Sequence, residues 1–361
     1  MKVLHVAQSV KGGVATYLSE ILNDQVSRYG KGNVVAVVPK GGRDDIELSD
    51  DIQCVEFSDV SRNFSSLYRA AIEVLRVIDE FSPDIIHLHS SFAGLLRFPL
   101  FFKNKYKIVY CAHGWAFSQD IGRVKKFIYG LVEAFLFLGT NSCINISNND
   151  SREARRFFIS GARVSTITNG ISDISDYSES QRLGIESDQD TRFVFIGRFD
   201  RQKGVDKLVR VFEKNSNKRA HLSLVGAPVV DSNNPFTIND NRIKTLGWLK
   251  RSEVVVSLAN AHAIIIPSRW EGFGLIAIEA MRSGVAVVCS DVGELPSIVE
   301  NGRTGYVFSS EEELLNIIET TSVRQFVKMG LVGRDVFLKK YLACYMNNKI
   351  AILYDSLLVD K

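Results

Sequence analysis

The chain has 361 residues, of which 45% are hydrophobic and 24% are charged, and its formal net charge is +3. This length suggests two globular domains, and so small a charge argues against nucleic acid as a partner. Five scattered cysteines favour free thiols in a reducing compartment over disulfides or zinc. The sequence shows no run of ~20 apolar residues for a membrane span and only a short N-terminal apolar run, so we expect a cytoplasmic protein.

Short apolar runs that predict β-strands alternate with helical patterns along the whole chain. They fall into two sets, separated by a polar stretch at 172–190 that we interpret as a linker. Apolar strands separated by helices indicate parallel sheets covered on both faces. The first set is 3–7, 34–38, 85–89, 108–112 and 143–147, and the second is 193–197, 222–226, 263–267 and 286–290.

This alternation predicts an α/β protein with two Rossmann-like, doubly wound domains that face a central cleft. The first domain would span residues 1–171 and the second residues 190–334. The long amphipathic stretch at 335–361 is predicted to form a helix that packs back on the first domain. Binding residues are expected at the carboxyl ends of the strands.

Two features of the first domain lie where predicted strands end. Gly12 and Gly13 would let the backbone approach a ligand at a helix start, although such a pair is also typical of a simple turn. Their spacing is not the Gly-x-Gly-x-x-Gly of a nicotinamide site. His113 either hydrogen-bonds a sugar hydroxyl or phosphate, or is satisfied by neighbouring carbonyls. His87 and His89 share one face of a strand, and we interpret them as structural.

Residues 97–129 combine basic and aromatic side chains. From Arg97 to Lys126 there are seven Lys or Arg against one acid, Asp120, with aromatic residues interleaved. This mixture suits docking on an anionic membrane surface. A solvated basic helix over an ordinary core is the alternative, and the two have nearly equal support.

The second domain begins with a basic loop, Gly197-Arg-Phe-Asp-Arg-Gln-Lys-Gly204, between a strand and a helix. Arg198 and Lys203 suit a diphosphate, because Arg can contact two oxygens at once while Lys acts as a point charge. A solvated basic loop is the alternative interpretation.

A second loop contains two carboxylates, in Glu271-Gly-Phe-Gly-Leu-Ile-Ala-Ile-Glu279. The helix predicted after Gly274 begins with free amides, which attract phosphate. Glu279 lies within the first turns of that helix. The pattern suits a ligand with both hydroxyls and phosphates, and an ordinary strand–loop–helix connection is the alternative.

These loops, together with Ser290-Asp-Val-Gly and Glu300-Asn-Gly-(x)2-Gly-Tyr, resemble the retaining GT-B glycosyltransferases of family 4 over nearly the whole chain. The resemblance implies transfer of a hexosyl unit from a nucleotide sugar to a glycan or lipid-linked glycan. It does not identify the donor, for which we favour a UDP-sugar over a GDP-sugar. It also implies retention at the anomeric carbon, no metal or other cofactor, and a role in lipopolysaccharide or capsule assembly. A nucleotide-sugar epimerase and a non-catalytic assembly partner remain as alternatives.

The resemblance also implies roles for single residues. Arg198 and Lys203 would hold the diphosphate, and Glu271 would face the donor sugar without acting as a nucleophile. Glu279 would bind the ribose, and His113 would lie beside the transferred sugar. The other donor-binding positions that it implies are Gly12, Gly13, Gly197, Leu249, Phe273, Gly274 and Leu275. If residues 97–129 bind a membrane, the protein would be peripheral at the inner face of the plasma membrane.

Overall fold

The computed structural model describes residues 1–8, 10–58, 64–103, 105–175, 177–187, 189–228 and 236–359. In chain order its strands are β1 (Val3–Ala7), β2 (Val34–Pro39), β3 (Gln53–Phe57), β4 (Ile85–His89), β5 (Lys107–Cys111), β6 (Ser142–Asn145), β7 (Val164–Thr166), β8 (Thr191–Ile196), β9 (Ala220–Val225), β10 (Ile243–Gly247), β11 (Ala263–Ile266), β12 (Ala286–Ser290) and β13 (Gly305–Phe308).

Its α-helices are α1 (Gly13–Tyr29), α2 (Phe64–Phe81), α3 (Ser90–Gly94), α4 (Arg97–Phe101), α5 (Arg123–Phe137), α6 (Asn148–Arg155), α7 (Glu179–Gly184), α8 (Val205–Lys214), α9 (Arg251–Ala259), α10 (Leu275–Arg282), α11 (Leu295–Ile298), α12 (Glu311–Thr320), α13 (Val323–Lys340) and α14 (Ala343–Val359).

The chain divides into two compact units. Residues 1–172 and 343–361 form the first unit, and residues 173–342 form the second. The strand order is β3-β2-β1-β4-β5-β6-β7 in the first sheet and β10-β9-β8-β11-β12-β13 in the second. The strand pairings are parallel in both sheets, so the carboxyl ends of the strands share one edge of each sheet. The predicted α/β class with two Rossmann-like sheets is confirmed.

In the second sheet, β11 and β12 are apolar and buried on both faces, as is typical of parallel strands covered by helices on both sides. All four residues of β11 are at most 4% exposed, and all five residues of β12 are buried. In the second unit the ring of Phe193 lies 5.5 Å from that of Phe326 and 6.2 Å from that of Phe212, edge to face. These contacts join β8 to α8 and α13, and so they fix the loop that follows β8.

Four strands were not predicted from the sequence: β3, β7, β10 and β13. They are the two edge strands of each sheet. Edge strands are covered less completely than central ones; in β10, for example, three of five residues are exposed. Because such strands need no continuous apolar run, the pattern that identified the central strands does not mark them.

The polar stretch at 172–190 is more than a linker. It contains α7, whose Arg182 is 3% exposed and donates to the carbonyl oxygens of Ala259 and Ala261 at 2.9 and 2.8 Å. A polar sequence therefore forms a helix here because a buried guanidinium satisfies backbone carbonyls of the second unit.

The predicted single helix at 335–361 is wrong in its extent. Residues 335–340 are the end of α13, and α14 begins separately at Ala343. α14 belongs to the first unit, where Asn347 donates to the carbonyl oxygen of Glu20 in α1 at 3.2 Å. The amphipathic pattern continues across the break, so it could not show where one helix stops.

All five cysteines lie among the described residues as free thiols, and Cys111, Cys143 and Cys289 are buried. Burial raises the pKa of Cys143 to about 12, so this thiol stays protonated. Among the described helices, none combines the length and apolar character needed to cross a bilayer.

Candidate active site

Both sequence-predicted loops of the second unit begin at the carboxyl ends of neighbouring strands. Gly197 follows β8, Ser268 lies two residues beyond β11, and β8 pairs directly with β11. The loops are also joined to each other, because the amide of Arg269 donates to the carbonyl oxygen of Gln202 at 2.8 Å. The Gln202 side chain donates to the carbonyl oxygen of Trp270 at 3.2 Å.

Lys203 and Glu271 form an ion pair between these loops. Lys203 Nζ lies 2.5 Å from Glu271 Oε1, and the Glu271 side chain is only 7% exposed. Ser268 Oγ donates to the same carboxylate oxygen at 2.9 Å. The pair fixes the direction of the carboxylate and holds the ammonium group at the carboxyl edge of the sheet.

Two glycines permit this close approach of backbone segments. A Cβ atom at Gly204 would lie 2.2 Å from the carbonyl oxygen of Pro267, and one at Gly293 would lie 2.1 Å from that of Glu271. Both glycines also have positive φ, at +67° and +60°. Other residues would be strained by backbone conformation and by steric overlap, so the loop geometry depends on glycine.

Arg198 is the more exposed of the two predicted cations. Its Nε lies 2.9 Å from Asp200 Oδ2, and its Nη2 donates to Gln202 Oε1 at 2.9 Å. Its side chain is 45% exposed, against 21% for Lys203. The guanidinium is therefore held within the loop while much of it remains open to a ligand.

The helix α10 begins where the sequence predicts. Gly274 is its N-cap, with φ +89°, and makes no side-chain cap. The amides of Leu275 and Ile276 therefore have no side-chain cap, and uncapped amides at a helix start attract anions. Phe273 is 3% exposed, and its ring lies 6.2 Å from that of Tyr341. Glu279 is half-buried in α10, about one turn beyond the helix start.

Leu249 follows β10 and is half-buried, while its neighbour Trp248 is 58% exposed. The amide of Gly226, at the end of β9, donates to the carbonyl oxygen of Gly247 at 2.8 Å. The segment thus lies at the same carboxyl edge as the loops after β8 and β11.

In the first unit, Gly12 and Gly13 lie exposed at the start of α1, and Gly12 has φ +59°. His113 follows β5 with φ +54°, which is rare for a residue other than glycine. The ring of Tyr17, one turn into α1, meets the His113 ring edge to face with centroids 4.6 Å apart. α1 and His113 therefore meet at the carboxyl edge of the first sheet.

Behind His113 lies a cluster of buried histidines that sequence reasoning took as structural. His89 Nδ1 lies 2.9 Å from His113 Nε2, and His89 Nε2 lies 2.9 Å from His5 Nδ1. Desolvation lowers the pKa of His5 to about 4 and that of His113 to about 3, so the rings stay neutral at physiological pH. The sequence signal that could have revealed this cluster is the alternation of His87 and His89 along one strand, with His5 on the neighbouring strand.

Sequence reasoning also missed Asp206 and Arg269. Arg269 donates to both carboxylate oxygens of Asp206 at 2.7 and 2.8 Å, which joins the loop after β11 to α8. These hydrogen bonds lower the pKa of Asp206 to about 2. The residues lie 63 positions apart, and nothing local pairs them.

The basic and aromatic region needs one correction. Arg97 was counted with the surface cations, yet it is 1% exposed and forms an ion pair with Glu133 at 2.5 Å. Its guanidinium also stacks on Tyr110, 3.6 Å from the ring centroid. Leu100 and Tyr106 are buried too. These residues attach α4 to the core and leave other side chains of the region at the surface.

Comparison with known families agrees with this two-unit architecture. Residues 11–173 match the family described as Glycosyltransferase Family 4. Residues 178–321 match the family described as Glycosyl transferases group 1. The two matches lie in the first and second units, respectively.

Similar proteins extend over most of the chain. An uncharacterized 41.2 kDa protein in the cps region of Klebsiella pneumoniae is 28% identical over 99% of this chain and 100% of its own length. The UDP-Gal:alpha-D-GlcNAc-diphosphoundecaprenol alpha-1,3-galactosyltransferase of Escherichia coli is 22% identical over 87% of this chain and 86% of its own. The crystal structure of Anabaena HepE in complex with UDP-glucose superposes with a TM-score of 0.81, at 19% identity, over 99% of this chain and 100% of that one. The first unit thus matches the Glycosyltransferase Family 4 model, the second unit matches the Glycosyl transferases group 1 model, and the chain has the GT-B fold.

Proposed function

We propose that this protein is a retaining hexosyltransferase that moves a sugar from a UDP-sugar to a lipid-linked glycan in polysaccharide assembly. The observation that carries the proposal is the Lys203–Glu271 pair, oriented by Ser268 at the carboxyl edge of the second sheet. A fixed ammonium beside a fixed carboxylate suits a ligand with a phosphate at one end and sugar hydroxyls at the other.

On this proposal the diphosphate lies against Arg198, Lys203 and the leading amides of α10. When the C1–O bond to phosphate breaks, negative charge grows on the leaving diphosphate, and these groups stabilise it. Such fixed cations do the electrostatic work that a metal ion does in other transferases. We therefore expect turnover to persist in EDTA.

Glu271 positions the transferred sugar by accepting hydrogen bonds from its hydroxyls. The acceptor hydroxyl attacks C1 from the face that the diphosphate leaves, and its proton passes to the leaving phosphate oxygen. This order of events gives retention without a covalent enzyme intermediate. Trapping a glycosyl adduct on Glu271 by mass spectrometry would overturn this part of the proposal.

Glu279 is assigned to the ribose hydroxyls, and the backbone around Leu249 to the base. The uridine base is supported by two similar proteins, since HepE was crystallised with UDP-glucose and the E. coli relative is named for UDP-Gal. That relative is also named for a sugar carried on diphosphoundecaprenol, which supports a lipid-linked acceptor here.

A surface of the first unit also supports an acceptor carried in a membrane. The outer face of α5 carries apolar side chains, whereas its inner face buries Gly130, Glu133, Leu136 and Phe137. Phe98 of α4 continues this surface, because its ring lies 6.2 Å from that of Phe135. We call the following exposed residues, each at least 50% exposed, the α5 surface: Phe98, Phe101, Phe102, Val124, Phe127, Ile128, Leu131, Phe135 and Leu138.

Charge favours a bilayer as the partner of the α5 surface. Arg123 and Lys125 are exposed in the first turn of α5, beside the apolar side chains. Each basic residue near an anionic leaflet contributes ~1 kcal/mol, and burying a Phe or Leu contributes about 1.5–3 kcal/mol. The apolar contribution is the larger, so binding should survive high salt.

Vesicle sedimentation tests this membrane assignment. The full chain is expected to bind phosphatidylglycerol-containing vesicles, and Phe127→Ser/Leu131→Ser should weaken binding at least ~10-fold. Arg123→Gln/Lys125→Gln should weaken it mainly at low salt, because salt screens charges. Leu183→Ser, an exposed apolar site in the second unit, is the matched control. If wild type ignores these vesicles and the serine variant instead separates a dimer into monomers, the surface is a protein interface.

The donor and the reaction are tested with a panel of UDP-, GDP- and ADP-sugars, scored by thermal shift and by transfer to a diphosphoundecaprenol-linked sugar. A UDP-hexose should raise the Tm and be consumed with the acceptor present. Incubation without acceptor provides the control: an isomerised sugar nucleotide there would identify an epimerase. A Tm that no nucleotide sugar changes, together with no turnover, would refute the proposed function.

A further inference from the structure

A hydrogen-bonded chain of side chains ends at His113. It starts at Gln25 in α1, whose Oε1 lies 2.8 Å from His5 Nε2. It continues from His5 Nδ1 to His89 Nε2 at 2.9 Å, and from His89 Nδ1 to His113 Nε2 at 2.9 Å. Gln25, His5 and His89 are each at most 3% exposed. The chain therefore runs from the core of the first unit to a half-buried histidine at the edge of the sheet.

The amide of Gln25 fixes the order of protons along this chain. A neutral imidazole carries one proton, so one ring nitrogen donates and the other accepts. Because Gln25 Oε1 can only accept, His5 must donate from Nε2 and accept at Nδ1. His89 then donates from Nε2 and accepts at Nδ1, and His113 donates from Nε2. The order leaves Nδ1 of His113 without a proton.

Tyr354 of α14 packs against the fourth histidine of this cluster. Its hydroxyl lies 2.6 Å from His87 Nδ1, and its ring meets the His87 ring edge to face with centroids 6.0 Å apart. The His87 ring in turn lies 4.1 Å from that of His89, measured between centroids. The C-terminal helix therefore contacts the histidines behind His113.

The surroundings keep the rings neutral, which the one-proton argument requires. Desolvation by burial lowers the pKa of His87 and His89 well below the ordinary value, as it does for His5 and His113. Within the part of the chain that the structure describes, Nδ1 of His113 makes no hydrogen bond. This nitrogen is also not one of the fully buried polar side-chain atoms that lack a partner. It is therefore open to a ligand.

We propose that Gln25, His5 and His89 are positioning residues that hold His113 in the Nε2–H tautomer, so that its bare Nδ1 accepts a hydrogen bond from a hydroxyl of the sugar substrate. The tautomer of His113 follows from the series of hydrogen bonds alone, while the identity of the ligand rests on the proposed function. A protonated Nδ1 would meet a sugar hydroxyl as a donor and would not orient its proton. The donor-to-acceptor direction of these hydrogen bonds therefore decides whether His113 accepts or donates at Nδ1.

The tautomer is measured by two-dimensional NMR of protein labelled with ¹⁵N only in histidine. The chain has six histidines, and the protonated and bare nitrogens of a neutral ring give well-separated signals. We expect Nε2–H for His5, His89 and His113. Finding Nδ1–H on His113, or an averaged signal that reports both forms, would overturn the proposal.

Two variants of His89 separate direction from packing. Glutamine can donate from Nε2 to His5 and accept at Oε1 from His113, so His89→Gln preserves the order, whereas His89→Leu interrupts it. His89→Leu should lower kcat about 10- to 100-fold with the donor KM within about threefold, and His89→Gln should retain kcat within about fivefold. Equal losses in the two variants, or wild-type kcat in His89→Leu, would contradict the proposal.

Gln25→Met provides a second test that spares the core histidines. It removes the acceptor for His5 and should give a mixture of His113 tautomers, and an unchanged Nε2–H signal on His113 would contradict the role assigned to Gln25. If wild type shows no turnover, the proposed function fails but these spectra still decide the tautomer.

Among the described residues, ligand nitrogens of His5, His87 and His89 lie within 4.8 Å of one another. Stoichiometric metal in the purified protein would mean coordination in place of the chain, and would overturn the inference.

Discussion

At the scale of single residues, the candidate site is defined by charges that are already paired. Lys203 is neutralised by Glu271, and Arg198 is shared between Asp200 and Gln202. These partners hold the cations in place before a ligand arrives, so little reorganisation is needed when negative charge develops. The same pairing makes each residue sensitive to loss of its partner.

If the proposed function holds, Lys203→Ala should lower kcat about 10²- to 10³-fold, because it removes one fixed donor to the leaving diphosphate. Lys203→Arg keeps the charge and should lose less than about 10-fold. Lys214→Ala, at the exposed end of α8, is the control and should be neutral. Steady-state kinetics with UDP-hexose decide the matter, and full activity in Lys203→Ala would remove Lys203 from the site.

Arg97→Met tests how much the buried ion pair between Arg97 and Glu133 contributes to stability. It leaves the carboxylate of Glu133, which is 5% exposed, without its cation, a change that typically costs about 3–5 kcal/mol. The Tm of the first unit, followed by circular dichroism, should fall by roughly 10 °C.

Two comparisons qualify the Arg97 result. Arg97→Met/Glu133→Gln should be more stable than the single variant, since no unpaired charge remains. Lys103→Met, which breaks an exposed pair with Asp79, should cost less than about 1 kcal/mol. Equal costs for Lys103→Met and Arg97→Met would show that burial of the Arg97 pair has no special effect.

At the scale of elements, α13 shows how a helix approaches a sheet. A Cβ atom at Gly330 would lie 2.0 Å from the carbonyl oxygen of Gly284, just before β12. At Gly333, in the same helix, the nearest atom beyond the neighbouring backbone would be 3.5 Å away, on Met281. The first glycine is required by contact with backbone, and the second is not.

Alanine at these two positions should therefore have opposite effects. Gly330→Ala should destabilise the second unit by about 1–3 kcal/mol through overpacking against rigid backbone. Gly333→Ala should stabilise it by up to about 1 kcal/mol, the usual gain of alanine over glycine in a helix. Thermal unfolding of both variants provides the measurement, and destabilisation of similar size at both sites would refute the distinction.

At the scale of the whole molecule, buried neutral histidines make stability depend on pH. The pKa of His5 is lowered to about 4 and that of His113 to about 3, and those of His87 and His89 are lowered well below 6.5. The unfolded chain takes up protons below pH 6.5 that the folded protein excludes, so acid favours unfolding. The effect is negligible above pH 6.5 and grows as the pH falls towards the folded pKa.

From pH 7.5 to 5.5 the four histidines together should reduce the free energy of unfolding by about 5–6 kcal/mol, at ~1.4 kcal/mol each. His87→Asn should lose roughly a quarter of this dependence, whatever its effect on stability at pH 7.5. His221→Gln, at an exposed site, should leave it unchanged. Chemical unfolding at the two pH values tests this, and a pH-independent free energy would show that the rings titrate in the folded protein as they do in the unfolded chain.

How far the sequence predicts this protein depends on the range of the interactions involved. Central strands such as β11 and β12 were identifiable because burial on both faces demands continuous apolar residues. The edge strands β3, β7, β10 and β13 could not be identified in this way. Each has a neighbouring strand on one side only, so it is less completely buried and needs no continuous apolar run. Arg97 shows the same limit, because a basic residue among aromatics gives no sign of a buried carboxylate 36 positions away.

The sequence by itself determined the two parallel sheets, the loops at their carboxyl edges with Arg198, Lys203 and Glu271, and the helix after the second loop with Glu279. These follow from local patterns of apolar residues and glycines. Only the tertiary structure decided that Lys203 pairs with Glu271, that α5 turns its apolar side outwards, and that a chain of histidines leads to His113. The physical reason is that each of these depends on which strands and helices become neighbours, and so on contacts between residues far apart in the sequence.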